Sequence, residues 1–170
     1  MISVRDLIEA VLFNTDETYN RIHSDPEIIH AINSVLRIFN LSLVNFDSYL
    51  LMKKITITPI SGKVKLPTDF VKIVSFDEDF FGKYTVIGSY LYIDENTTMI
   101  YMRTLPEVAT TDDSIDLPNY FFEMYVRYVS GILKGNLDSD KLAALVGSDI
   151  QKLSFTASKA FIDRPMPYFI

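Results

Sequence analysis

The side chains that could carry out chemistry in this sequence are few, and their spacing does not assemble a site. His23 and His30 lie seven residues apart, and neither has a third ligand three or four residues away, so we predict solvated or capping histidines and no metal site. The acidic run 77–79 lacks the ligand spacing of a calcium loop. Residues 61–63, Ser-Gly-Lys, end like a phosphate loop but lack its preceding glycine. We therefore expect no bound cofactor.

Motifs of covalent catalysis are also missing. The chain has no cysteine, which excludes a thiol nucleophile, a thiolate metal site and a disulfide framework. Neither G-x-S-x-G nor H-E-x-x-H occurs in it. The residues give no support to a catalytic activity, and we predict that the protein is not an enzyme.

The composition predicts one acidic domain. With 170 residues, of which 48% are hydrophobic, the chain can form a single substantial core, and we expect one domain over residues 1–162. A formal net charge of −6 disfavours binding to phosphates or to anionic lipid. No apolar run approaches a membrane span, and Arg5, Asp6 and Glu9 interrupt the segment where a signal peptide would be apolar. We expect synthesis in the cytosol and no membrane partner.

Helical periodicity occurs near both ends of the chain. Ser3 can cap the first helix, Asp25 with Pro26 can begin the second, and Gly135-Asn136 ends the third. Apolar residues at spacings of three and four predict four helices, at residues 3–13, 25–45, 118–134 and 139–162.

Between these pairs of helices the apolar period changes to alternation, which predicts a β module over residues 54–105. In the first predicted hairpin, a two-residue loop at Ser61-Gly62 sets Ile57 opposite Leu66. The register places the apolar side chains on one face and the threonines and lysines on the other.

A second hairpin follows the same logic. Its loop at Gly88-Ser89 sets Val86 opposite Leu91, and residues 99–103 add a further strand. The predicted fold class is α+β, a helical bundle with two N-terminal and two C-terminal helices, interrupted by a β-hairpin or meander module.

Two adjacent phenylalanines, Phe80 and Phe81, lie in the segment that joins the hairpins and have no alternating partner. One interpretation is that they contact a neighbouring protein, since aromatic residues are enriched at interface cores. The other is that they cover the end of their own sheet.

The C-terminal segment, 163–170, is apolar where a terminus is usually polar. Its two prolines fix the backbone and prevent a helix from continuing, so we predict an extended docking arm. The arm docks on a neighbour or folds back onto its own bundle. The residues predicted to bind a partner are Arg164, Pro165, Pro167, Tyr168, Phe169 and Ile170.

The order of elements over residues 25–162 resembles that of the head-to-tail adaptor (connector) proteins of tailed bacteriophages, of the podovirus tail tubular protein A kind. The resemblance rests on "IIHAINSVLRIFNL", on "VKLPTDFVKIVSF" closing the first hairpin, on "YTVIGSYLYI", and on "IDLPNYFFEMYVRYVSGILKGN". The short N-terminal segment and the "RPMPYFI" tail differ from the corresponding segments of some adaptor proteins.

This resemblance implies a structural protein of the virion neck. Adaptors form a ring, typically dodecameric, that binds the portal protein on one side and the tail nozzle or tail tube on the other. DNA passes through the ring during ejection without specific binding. The alternatives are another neck or minor tail protein, and a soluble enzyme or regulatory domain.

Overall fold

The computed structural model describes residues 1–17 and 20–162, with side chains described up to Leu153. The predicted docking arm, residues 163–170, lies outside the described residues. Two compact units make up the fold. The helical unit consists of Met1–Phe46 and the chain from Glu107 onward, and the β unit consists of Asp47–Pro106. The predicted α+β class is confirmed.

The chain forms the first part of the helical unit, then the whole β unit, and then returns to complete the helical unit. Short 3-10 turns lie at Tyr49–Leu51 and Asn119–Phe121. In chain order the helices and strands are β1 (Ile2–Ser3), α1 (Val4–Asn14), α2 (Asp25–Asn45), β2 (Met52–Ile57), β3 (Lys63–Lys65), β4 (Phe70–Phe76), β5 (Tyr84–Ile87), β6 (Tyr90–Ile93), β7 (Thr97–Arg103), β8 (Ser114–Ile115), α3 (Phe122–Leu133) and α4 (Ser139–Ile162).

The two N-terminal helices begin at side-chain caps. The hydroxyl of Ser3 accepts a hydrogen bond of 3.3 Å from the backbone N–H of Asp6, as the sequence predicts. In α2 the cap is Ser24, whose backbone N–H donates to the Glu27 carboxylate at 2.7 Å. The prediction of Asp25 as the cap was wrong by one residue, because Ser24 has the extended backbone that an N-cap requires.

The core of the helical unit forms around Phe39 of α2. Its ring lies 5.7 Å from that of Phe121 and 4.7 Å from that of Tyr125, centroid to centroid. Helix α2 also contacts α4, where Leu142 and Val146 are buried. Aromatic pairs at these distances add to the free energy of burial.

A polar pair holds the returning chain onto α2. The side-chain amide of Asn33 donates to the carbonyl of Val108 at 2.8 Å and accepts from the Val108 N–H at 2.9 Å. Asn33 is buried, and these two bonds satisfy its amide in the core.

Helix α2 also corrects one expectation about membranes. By length and composition it is apolar enough to cross a bilayer, so the expectation that no run approaches a span was too strict. Half of its most apolar stretch is buried inside the protein. Core helices of soluble proteins can have the same length and composition.

Helix α3 starts four residues later than predicted and ends one residue earlier. Pro118 is followed by a 3-10 turn, in which the Phe121 N–H donates to the Pro118 carbonyl at 3.1 Å, and the α-helix begins at Phe122. At its end Gly135 has φ +69°. The Asn136 N–H then reaches back to the Gly131 carbonyl at 2.9 Å, which is the glycine-based stop expected of this sequence.

The β unit contains two three-stranded antiparallel sheets, with strand orders β2-β7-β4 and β3-β6-β5. The predicted turn at Ser61-Gly62 forms, with φ of 54° and 73°, and a bridge joins Ile60 to Lys63 across it. The predicted pairing of Ile57 with Leu66 is wrong. Ile57 pairs with Thr97 instead, because β2 pairs with β7 along its whole length. This pairing forms more backbone hydrogen bonds than the short local hairpin would.

The second predicted hairpin is confirmed, including the pairing of Val86 with Leu91. The predicted strand 99–103 is confirmed within β7. Strand β4 was not predicted as a separate strand, since two bulges interrupt its alternation. One buried core cluster of this unit consists of Ile57, Leu66, Leu91, Ile93, Met99 and Tyr101.

Candidate protein-docking surfaces

The loop between β4 and β5 separates the two predicted partner-binding phenylalanines. Phe80 is half-buried and packs against the core of the β unit, with its ring 4.6 Å from that of Phe76. Phe81 is 91% exposed. Each of the two interpretations therefore fits one residue: Phe80 covers its own sheet, and Phe81 remains the candidate for contact with a partner.

Two hydrogen bonds and a glycine fix the conformation of this loop. The Phe80 N–H donates to the Asp77 carbonyl at 3.0 Å, and the Asp77 carboxylate accepts from the Thr98 N–H at 3.2 Å. Hydrogen bonding to Thr98 lowers the pKa of Asp77. A Cβ at Gly82 would lie 2.7 Å from the Phe80 ring, so the absence of a side chain there lets the ring fold back. Phe81 thus projects from an ordered turn.

A second surface, which we call the tyrosine–lysine face, lies on the outer side of the β3-β6-β5 sheet. Leu91 of β6 is buried, so Tyr90 and Tyr92 on either side of it point to the opposite face. The register sets Lys65 opposite Tyr90 and Lys63 opposite Tyr92. These four residues define the face, on which both tyrosines are about 40% exposed.

The two lysines of this face have no carboxylate partner among the described residues, whereas Lys53, Lys54 and Lys72 of the same unit do. The Lys63 ammonium lies 5.5 Å from the centroid of the Tyr90 ring, which is within the range of a cation–π contact. Among the described residues, neither Lys63 nor Lys65 has a carboxylate within ion-pair distance. In the other sheet, Lys53 pairs with Asp69 at 3.8 Å and Lys72 with Asp47 at 2.5 Å. The tyrosine–lysine face is therefore a surface of the β unit that combines aromatic rings with unpaired lysines.

The helical unit has an acidic groove between α1 and α3, about 600 Å³ in volume. Asp6, Glu9 and Phe13 line it from α1 at helical spacing, and Glu123 lines it from α3. Phe13 is 76% exposed. Within the described part of the chain, the carboxylates of Asp6, Glu9 and Glu123 have no ion-pair partner. We call these four residues the α1–α3 groove.

Charge is divided unevenly between the two units. Seven basic and seven acidic side chains cancel within Asp47–Pro106, so the whole formal charge of −6 belongs to the helical unit and the segments that continue it. A uniform distribution would have given both units the same sign. The β unit can approach an acidic surface without net repulsion, whereas two helical units repel each other.

The histidines belong to local structure. The Nδ1 atom of His23 lies 2.7 Å from Glu17, whose carboxylate also accepts from the backbone N–H groups of Ile22 and His23 at 2.8 Å. Burial raises the pKa of Glu17, but these hydrogen bonds outweigh it and lower that pKa to about 2. His30 is exposed on α2. Among the described residues there is no cluster of three or more side chains that could hold a metal ion.

A polar cluster links α3 to α4. The Tyr128 hydroxyl donates to Asp149 at 2.5 Å and accepts from Arg127 at 2.9 Å, and Arg127 also pairs with Asp149. Burial, together with the bond to Asp149, raises the pKa of Tyr128 to about 12. The hydroxyl therefore stays protonated at neutral pH, and the cluster ties two helices together.

The sequence indicated Phe80 and Phe81 but missed both the tyrosine–lysine face and the α1–α3 groove. The alternation of "SYLYI" could have predicted the two tyrosines of the face, because it places Tyr90 and Tyr92 on the same side of the strand. The lysines come from a strand that is distant in sequence. The groove could have been found from the spacing of Asp6, Glu9 and Phe13 on the polar side of the first predicted helix.

No protein-family model matches the chain, and no curated protein matches its sequence. The surfaces described above are therefore the basis for a proposed function.

Proposed function

We propose that the protein is a structural virion protein, a subunit of the head-to-tail adaptor ring between the portal and the tail nozzle. In this role it belongs to the virion neck after synthesis in the host cytoplasm. Its partners are the portal protein, a nozzle or tail-tube protein, and further copies of itself. The resemblance in the order of elements motivates the proposal, and the surfaces of the two units support it.

The observation that carries the proposal is the division of surface chemistry between the units. The β unit has no net charge and exposes Phe81 and the tyrosine–lysine face, and aromatic side chains of this kind are enriched at the cores of protein interfaces. The helical unit holds the acidic excess. A subunit of a conduit needs both properties, since it must bind proteins and must not retain DNA.

The acidic excess suits the passage of DNA. Proteins that bind duplex DNA neutralise its phosphates with basic side chains, and this term supplies essentially all non-specific affinity. A helical unit with a charge of −6 opposes such binding. DNA would accordingly pass the ring without specific contacts.

Uptake by portal-containing particles tests the proposal. Purified protein is mixed with filled or empty particles that carry the portal and lack the adaptor, and bound protein is measured after sedimentation. The wild-type chain should co-sediment, whereas Phe81→Ser should keep its melting temperature and lose uptake. Tyr49→Ser removes another exposed ring of the β unit, 67% exposed, and should behave like the wild type.

The opposite results are equally informative. Wild-type protein that fails to bind portal particles but binds a different neck or tail assembly would refute the adaptor and favour another neck protein. Full uptake of Phe81→Ser would remove Phe81 from the docking surface.

A further inference from the structure

We propose that the tyrosine–lysine face of one subunit docks on the α1–α3 groove of a second copy of this chain. The inference rests on the proposed function, because an adaptor ring sets identical subunits side by side. A ring that closes uses a heterologous contact, in which two different surfaces of the same chain meet. This protein has two such surfaces, one in each unit.

Charge complementarity favours contact between these two surfaces. Lys63 and Lys65 have no carboxylate partner, and Asp6 and Glu9 have no basic partner, within the part of the chain that the structure describes. Most other described lysines and arginines have a carboxylate within 4.0 Å; Lys54, for example, pairs with Asp77. Unpaired charges of opposite sign on the two surfaces favour their association and fix its register.

The apolar parts of the two surfaces also match. Phe13 lines the α1–α3 groove and is 76% exposed. On the other surface, the rings of Tyr90 and Tyr92 lie between the two lysines and Ile87, which is opposite Tyr90 on β5 and is also exposed. A contact would thus bury an aromatic centre and surround it with charge pairs, the arrangement of a stable interface.

A second copy is favoured over a different acidic protein for a physical reason. Both surfaces occur once in every chain, so each copy supplies the partner of the next, and no other component is needed to satisfy either set of charges. Head-to-tail repetition of one contact then leads from copy to copy around a ring.

The test uses chemical cross-linking, for which the chain is well suited because it has no cysteine. A full-length Phe13→Cys variant is mixed with an isotope-labelled Tyr92→Cys variant at high protein concentration and low salt, since salt screens the charges. A short bis-maleimide joins cysteines that approach each other, and mass spectrometry distinguishes the mixed product. We expect the mixed product to exceed either homodimer by about tenfold.

Charge reversal makes the test specific. Lys63→Glu with Lys65→Glu on the labelled protein should reduce the mixed product about tenfold. Adding Asp6→Lys with Glu9→Lys to the other protein should restore it, because the complementary signs are then exchanged. Lys53→Glu with Lys54→Glu makes the same change of charge on the other sheet and should have no effect. Circular dichroism melts check that each variant is folded.

The absence of a mixed product, or a loss that the reciprocal reversal does not restore, would overturn the inference. Its failure is distinguishable from failure of the proposed function. Uptake by portal particles without the mixed product leaves the adaptor standing and refutes this contact. A mixed product with reciprocal rescue supports the contact even if portal particles take up no protein.

Discussion

Replacing Tyr125 with phenylalanine should stabilise the protein. The Tyr125 side chain is fully buried against Phe39, and its hydroxyl has no hydrogen-bond partner among the described residues. Burial raises the pKa of this hydroxyl, and no donor or acceptor of the described residues replaces the water that the hydroxyl lost on folding. The phenylalanine side chain fills almost the same volume and removes the unsatisfied polar atom.

The magnitude follows from the cost of an unpaired polar group. Leaving a buried donor or acceptor unsatisfied costs about 1–3 kcal/mol. For a chain of this size, 1 kcal/mol shifts the melting temperature by about 2–4 °C. We expect Tyr125→Phe to raise the free energy of unfolding by about 1–2 kcal/mol and the melting temperature by several degrees.

Tyr128→Phe is the matched control, because it removes the same atom from the same helix. Its hydroxyl does have partners, Asp149 and Arg127, so this variant should lose about 1–2 kcal/mol. Thermal melts followed by circular dichroism measure the melting temperature of each variant. Urea titrations measure its free energy of unfolding, provided that the m-value is unchanged. A melting temperature of Tyr125→Phe at or below that of the wild type would refute the reasoning, as would a shift of the same sign in both variants.

Two further predictions concern the acid range and the C-terminal arm. The pKa of Glu17 is lowered from 4.5 to about 2, so its contribution to stability is complete above pH 4.5 and is lost as the pH falls toward 2; Glu17→Gln should flatten the pH dependence of unfolding in that window, and an unchanged profile would contradict this. Deletion of residues 164–170 should leave the melting temperature unchanged and abolish uptake by portal particles, whereas a clear loss of stability with uptake retained would show that the arm folds onto its own bundle.

The helices could be predicted from the sequence because their signals are local. The predicted bounds of α2 agree with the structure, and those of α1 differ by one residue at each end. Apolar spacing and capping residues lie within the element that they specify. The late start of α3 has a local cause too, since Pro118 favours a tight 3-10 turn that periodicity does not distinguish from a helix.

Strand pairing could be predicted only where the partner is adjacent in the chain. The Gly88-Ser89 hairpin is confirmed, and its strands pair with each other along their full length. The Ser61-Gly62 turn also forms, but its strands belong to different sheets. Turn chemistry specifies the turn, whereas the choice of partner depends on ladders with distant strands.

The same distinction explains why the tyrosine–lysine face was missed. Read along the chain, the segment from Tyr90 to Arg103 sets acids beside its aromatic residues, and a basic aromatic surface could not be inferred from it. The lysines that complete the face, Lys63 and Lys65, precede these tyrosines by more than twenty residues and reach them through the β3–β6 register. Residue types in a sequence indicate which chemistry is available, but a site made across strands exists only once the register is known. Only the structure shows that these lysines are unpaired, because the sequence does not indicate whether a carboxylate lies beside a given lysine.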